Sequence, residues 1–326
     1  MMRNFFLLIV LQLVVSCAPL SQVPDKSELL AYVPHTEEQT LLARHFPLFI
    51  IENPGKPYNR IGTPAAELTA EGEKRVFVSD REATIYVEER KFSTARDCYS
   101  NLIYRVHFSE TPYGLFPFQI GAGKNVGLFV IVTLNSANQP VLYTAVHTCG
   151  CYLAFIPTTY LSTDAYPPGW PEIKQVVYSE ILPARLDPTA KTDPFPALAV
   201  LIKDASHRVQ DVWLAERDRP KSFATNPAAT RPLASLEALP LDGSSRTTSF
   251  YETSGARTGY VKGSHKPLER VLMSWWAFDW KIGEDKKLGV DKNDPPIFFT
   301  SLKLWAREKS DMRDFPTFLA YWGWKL

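Results

Sequence analysis

From Val126 to Leu134 the chain reads Val-Gly-Leu-Phe-Val-Ile-Val-Thr-Leu, apolar on both sides of an extended strand. Successive strand residues face opposite ways. Such a segment must therefore sit inside a sheet that has neighbours on both edges and packed layers on both faces. Candidate neighbours flank it: segments 75–79, 83–91, 101–108 and 141–149 are rich in Val, Ile, Tyr, Phe and Thr and are bounded by Gly, Pro, Asn or Ser. The polar link Asn135 to Pro140 returns the chain, so 126–134 and 141–149 form a hairpin. A second hairpin pairs Ala197–Ile202 with Val209–Ala215 across the polar turn from Lys203 to His207.

Helical signals cluster near the two ends. Thr36 with Gln39 three residues on reads as a capping box opening a short helix that runs to about His45 and stops at Pro47. Leu268, Val271, Leu272, Trp275 and Trp276 recur at helical spacing, which predicts an amphipathic helix from Pro267 to about Gly283 with Trp275 and Trp276 in the core. A last helix is expected over 308–321. Between 218 and 265, prolines, Ser and Thr replace periodic apolar residues, which reads as a long loop or insertion. The expected fold is thus α+β, a mostly antiparallel β-sheet with a short N-terminal helix and C-terminal amphipathic helices. With 45% hydrophobic and 22% charged residues, segment 28–326 is expected to be one globular domain. Its 36 basic and 35 acidic residues are interspersed, so no surface favours nucleic acid.

The N-terminus has a separate logic. Arg3 precedes an apolar run from Phe5 to Val15, the order of parts in an export signal. At about 1.5 Å per residue the run is far shorter than a bilayer core of roughly 30 Å, so it is not a span. Val14-Val15-Ser16-Cys17 resembles the lipobox of bacterial lipoproteins, with Val14 where Leu is usual. The resemblance implies a signal peptide over 1–16, lipid on Cys17, and a lipidated tether over 17–27. Ala18 stands where inner-membrane lipoproteins commonly carry Asp, which by the same resemblance implies the outer membrane, facing the periplasm. The one partner this implies is the membrane, reached through the anchor.

Three of the four cysteines then remain, an odd number in an oxidising compartment. Cys149 and Cys151 lie in His147-Thr148-Cys149-Gly150-Cys151, and Cys98 precedes the strand that carries Arg105 and His107. Were those strands adjacent, Cys98, His107, His147, Cys149 and Cys151 could gather. Four readings stay open: a disulfide from Cys98 to Cys149 or Cys151, buried silent thiols, a zinc-type metal site, or a catalytic thiolate on Cys149 with a histidine base and Arg105 beside it. The spacing H-x-C-x-C matches no standard zinc pattern. Straight-strand geometry puts His147 and Cys151 about 13 Å apart, and Gly150 is the residue able to bend them together.

Other motifs carry less. Gly121-Ala122-Gly123-Lys124-Asn125 is not a phosphate loop, since Phe118 stands where the first glycine belongs and Asn125 where Ser or Thr does. Trp280 and Asp279 are candidates for a ligand groove. The acidic runs near 284 and 291–294 lack the calcium-loop pattern, and no nucleophile elbow, H-E-x-x-H pair or dinucleotide fingerprint occurs. No organic cofactor is expected and zinc is the candidate metal. The sequence therefore supports a lipid-anchored envelope protein with a binding or structural role. The alternative is a periplasmic metal- or thiol-dependent hydrolase built on the Cys/His cluster.

Overall fold

A computed structural model describes residues 28–35, 40–114, 119–191, 193, 196–216, 223–241 and 245–326. Residues 1–27, with Cys17, and the Thr36–Gln39 capping box lie outside the described residues.

The apolar segment becomes the strand Gly123–Leu134 (β7), buried at every position from Asn125 onward. Cys98–Thr111 (β6) and Pro140–His147 (β8) flank it, both antiparallel. Around them a ten-stranded mixed sheet is completed by Leu29–Pro34 (β1), Leu48–Glu52 (β2), Ala83–Ser93 (β5), Leu153–Pro157 (β9), Ala197–Ile202 (β12), Val209–Ala215 (β13) and Ala224–Pro232 (β14). The order is β13-β12-β2-β1-β14-β5-β6-β7-β8-β9. Outside it lie two small hairpins, Thr63–Leu68 (β3) with Lys74–Ser79 (β4) and Lys174–Val177 (β10) with Glu180–Pro183 (β11).

The expected α+β fold is corrected here, because strand makes up 42% of the described residues against 15% helix. The sheet is also not mostly antiparallel at its centre: β1 with β14, β14 with β5, and β2 with β12 run parallel. The segment taken for a loop supplies the seam. Residues 224–228 of β14 pair with β1, and 228–232 pair with β5. Each half of the strand thus has one free edge, which is where Pro227 and Pro232, lacking an N–H, are tolerated. Only Ala228, at the crossover, is buried. A polar, proline-bearing strand of this kind has no apolar alternation by which sequence could disclose it.

Alternation sorts β6 to β8 into two layers. Tyr104, Val106, Phe108, Leu128, Val130 and Val132 face an inner layer that also holds Phe49 and Ile51 of β2, Val200 of β12, Val212 of β13 and Ile156 of β9. Residues from both ends of the sheet share this layer, so the sheet is curled around it. Tyr152 closes the gap by donating to the Val209 carbonyl at 3.2 Å, and Val177 and Leu182 of the β10–β11 hairpin fill it. The outer layer sets Ile103, Phe129 and Ile131 against Phe250, Phe298, Phe318 and Trp324. Each fully buried side chain of this size contributes roughly 2–3 kcal/mol.

Three short α-helices occur among the described residues. Leu41–Arg44 (α1) is capped by Thr40, whose hydroxyl accepts from Ala43 N at 3.2 Å. Pro267–Ala277 (α2) begins on its proline and stops where Phe278 turns left-handed, at φ 51°. Phe315–Tyr321 (α3) starts at the Asp314 cap, seven residues later than expected. The placement of Trp275 and Trp276 in the core is corrected: they are 71% and 53% exposed. Glu269, Ser274 and Ala277 are the residues α2 buries.

Candidate functional site

The curled sheet has a mouth where the β6 end, the β8–β9 turn, the β10–β11 turn and the β12–β13 turn converge, with α2 laid beside it. A cavity of about 380 Å³ opens there, walled by His147, Cys151, Tyr152, Tyr178, His207, Lys266, Glu269, Met273 and Asp285 among others.

Its most reactive wall is the turn after β8. Gly150, at φ +82°, adopts a conformation that other L-residues resist, and its N–H donates to the His147 carbonyl at 2.7 Å. A Cβ there would collide with the Phe299 carbonyl oxygen. The bend folds Cys149 and Cys151 onto each other as a disulfide, with Cα atoms 5.5 Å apart. One donor atom each from His147, Cys149 and Cys151 lies within 4.8 Å of the others, a grouping able to hold a metal ion. Cys149 is buried and Cys151 half-exposed at the cavity wall.

Neighbouring groups fix this turn. His147 Nε2 lies 3.0 Å from the His207 carbonyl, so Nε2 carries the hydrogen and Nδ1 keeps its lone pair. Burial holds His147 neutral, its pKa pushed down to about 3, and Lys266 adds to the effect. His207 is likewise brought down to about 4, by burial, while its Nε2 donates to the Tyr58 carbonyl at 2.9 Å. Buried Lys286 donates to the Cys149 carbonyl at 3.0 Å, and desolvation lowers its pKa to about 8. Tyr178 donates to the Cys151 carbonyl. Thr148 donates to Asp285 Oδ1, and Lys266 Nζ stands 3.2 Å from Asp285 Oδ2. Across the cavity Glu269 is only 8% exposed, and its Oε2 has no hydrogen-bond partner among the described residues. Desolvation raises its pKa.

The proposed five-residue gathering does not form. β7 separates β6 from β8, so the strands of His107 and His147 are not adjacent. They also face opposite layers: His147 the inner one, His107 the outer one between the rings of Tyr86 and Phe250, each 5.3 Å away. Arg105 is buried on that outer side, donating to the Tyr251 hydroxyl at 2.7 Å, and does not reach the cavity. Cys98 begins β6 at its other end, thirteen residues or about 43 Å of strand from Thr111, the β6 residue that lines the cavity. Cys98 is exposed and free, so of the four open readings the one that pairs it with Cys149 or Cys151 is not the bond formed, which joins Cys149 to Cys151. Trp280 is 74% exposed, and Asp279 Oδ1 accepts from Lys281 N at 2.9 Å, so neither lines the cavity at the mouth.

Sequence reading passed over Glu269, Lys266, Lys286, Tyr178 and His207. A carboxylate inside an otherwise apolar helix pattern was the one available signal, at Glu269. The others depend on the curl, which brings turns 178 and 207 to 147. Compared with protein-family models, curated proteins and solved structures, the chain matches none.

Proposed function

We propose that the protein is a lipid-anchored binding protein of the cell envelope, that the mouth cavity is its ligand seat, and that Cys149, Cys151 and His147 make that seat a redox-dependent site for a soft divalent metal such as zinc. The observation that carries this reading is the convergence of three soft or borderline donors within 4.8 Å, two of whose residues, His147 and Cys151, line the cavity. Two thiolates and a neutral imidazole suit zinc, and three protein ligands leave the fourth tetrahedral position to the cavity. Lys266 and Lys286 supply positive charge that favours thiolates once the disulfide is reduced. In the oxidised form the sulfurs are bonded to each other and the site is shut. Anchoring on Cys17 and residence at the outer membrane complete the proposal, on the lipobox resemblance alone.

Elemental analysis of the purified chain, reduced and then exposed to zinc and desalted, tests the site. About one equivalent is expected in the reduced chain, as four-coordinate structural or catalytic sites hold one ion. The oxidised chain and Cys151→Ser should retain less than about a tenth of that. Equal retention by all three would refute the site. A metal-assisted hydrolase is a second reading, favoured by Glu269, whose buried, unpartnered carboxyl faces the same cavity as an acid or base for metal-bound water. Hydrolysis of an ester, amide or phosphoester by the zinc-loaded chain that disappears in Glu269→Gln would establish it. Absence of any turnover leaves the binding role alone.

A further inference from the structure

Helix α2 is built the wrong way round for a helix of a water-soluble core. It buries Glu269, Ser274 and Ala277 and turns Val271, Leu272, Trp275 and Trp276 to solvent. Phe278 and Trp280 extend this face at 76% and 74% exposure. Trp305, at 80%, stands on the next segment, which is fastened to the helix where Arg307 donates to the Ala277 carbonyl and where Leu302 and Met273 pack on the same cluster of Ala277, Ile282 and Phe299. At roughly 200 Å² for each side chain when fully exposed, the five aromatic residues together present about 700 Å² to solvent. Phe278 keeps its ring outward from a left-handed backbone at φ 51°, a conformation costing about 1 kcal/mol or more for a residue with a Cβ.

We propose that this aromatic face docks on the surface of an anionic lipid bilayer. Trp is the side chain suited to the headgroup region, with an apolar body and a polar N–H at its tip. The rim is basic. Arg270, which donates to the Trp280 carbonyl, Arg307, which donates to the Ala277 carbonyl, and Lys281, Lys303 and Lys309 beside the rings in sequence are partly or fully exposed, against Asp279, Glu308 and the Glu284 that pairs with Arg270. Near an anionic surface each such cation adds up to roughly a fivefold factor in partitioning. No helix among the described residues is long and apolar enough to cross a membrane, and α2, with eleven residues, lies in the interface at a length of about 16 Å. Residues 18–28 can reach at most about 40 Å from an anchor on Cys17, which would keep the patch near lipid and make even weak docking populated. Because α2 gives Glu269 and Met273 to the cavity wall, docking would hold the ligand seat within about one helix diameter, roughly 10 Å, of the lipid.

The test uses the full chain reconstituted in vesicles of phosphatidylcholine with phosphatidylglycerol, with bromine on the acyl chains as a Trp quencher and iodide as the aqueous one. Four of the eight tryptophans, Trp275, Trp276, Trp280 and Trp305, form the patch. On docking, about half of the emission becomes quenchable by brominated lipid and protected from iodide. Replacing those four by Ser removes the lipid-quenched component while the far-ultraviolet spectrum stays unchanged, since the rings are exposed. Lys281→Glu with Lys303→Glu and Lys309→Glu lowers the docked fraction at least tenfold. Emission that stays open to iodide and untouched by brominated lipid would show a tethered domain held off the bilayer and overturn the proposal. So would protection from iodide without lipid in a dimer seen by sedimentation, which would assign the face to a second copy. Neither outcome depends on whether the cavity binds metal.

Discussion

Reducing the Cys149–Cys151 bond separates a switchable site from a structural staple. The bond closes a loop of only three residues. In the chain-entropy account such a loop restricts the unfolded state by about 5.4 cal/mol/K, or about 1.6 kcal/mol at 25 °C, against about 3 kcal/mol for a fifteen-residue loop. Reduction alone should then lower the melting temperature by roughly 3 °C, taking about 2 °C per kcal/mol for a large domain. Zinc at a hundredfold excess over its dissociation constant stabilises the folded state by about 2.7 kcal/mol, so the reduced, metal-loaded protein should melt roughly 2 °C above the oxidised one. The order of stabilities is the diagnostic: reduced with zinc, then oxidised, then reduced without zinc. The assay is a thermal scan at neutral pH, with and without a phosphine reductant, zinc and a chelator. Below about pH 6 the zinc gain should fade, because thiolates and a neutral imidazole must compete with protons. His147→Gln should abolish the gain and leave the loss on reduction in place. A loss on reduction above about 8 °C, or a zinc gain equal in oxidised and reduced protein, would refute the reasoning. The first would make the bond a staple, and the second would place the ion elsewhere.

Further expectations bear on the frame around the site. His107, with no hydrogen-bond partner at either ring nitrogen among the described residues, is held neutral by burial and by Arg105, its pKa well below the usual value. The unfolded chain takes up a proton at this residue below about pH 6.5 and the folded one does not, so stability falls with falling pH by up to about 1.4 kcal/mol per unit. Denaturant titrations at pH 7, 6 and 5 should show a shallower fall in His107→Phe; identical slopes would mean that His107 does not contribute. Gly150→Ala should cost more than about 2 kcal/mol and abolish zinc retention, since a left-handed Ala would also strike the Phe299 carbonyl. A stable, metal-retaining Gly150→Ala chain would contradict the tight turn. Phe129→Ala, which empties a fully buried position between Arg105 and Phe298, should destabilise by about 3–5 kcal/mol in the same titration.

The difference between what could and could not be read from sequence follows from the range of the forces involved. The β7–β8 and β12–β13 hairpins are local, with apolar alternation and a turn in one window, and they form between the expected segments. The β14 seam is non-local, since a strand from 224–232 inserts between strands that begin near 29 and 83. Its stabilisation comes from main-chain pairing, to which side-chain hydrophobicity is blind. The cavity has the same character, because His147 and His207 meet only after the two ends of the sheet curl toward each other. Helix α2 is the more instructive case. Its periodicity was legible and its helix is present, yet periodicity reports that a helix has an apolar face and not what that face meets. The inward face is set by Glu269, whose carboxyl packs on Gly283 so closely that a Cβ there would collide with it, and by Glu284 behind it, which pairs with Arg257 and Arg270. The packing of Glu269 on Gly283 and the pairing of Arg270 with Glu284 tie the polar side of α2 to the loop 279–286 and leave the tryptophans outward. A soluble core would have gained several kcal/mol by the opposite rotation, at roughly 2 kcal/mol for each large apolar side chain buried. That the chain forgoes this gain is the physical reason for seeking a second apolar medium against which the face is buried.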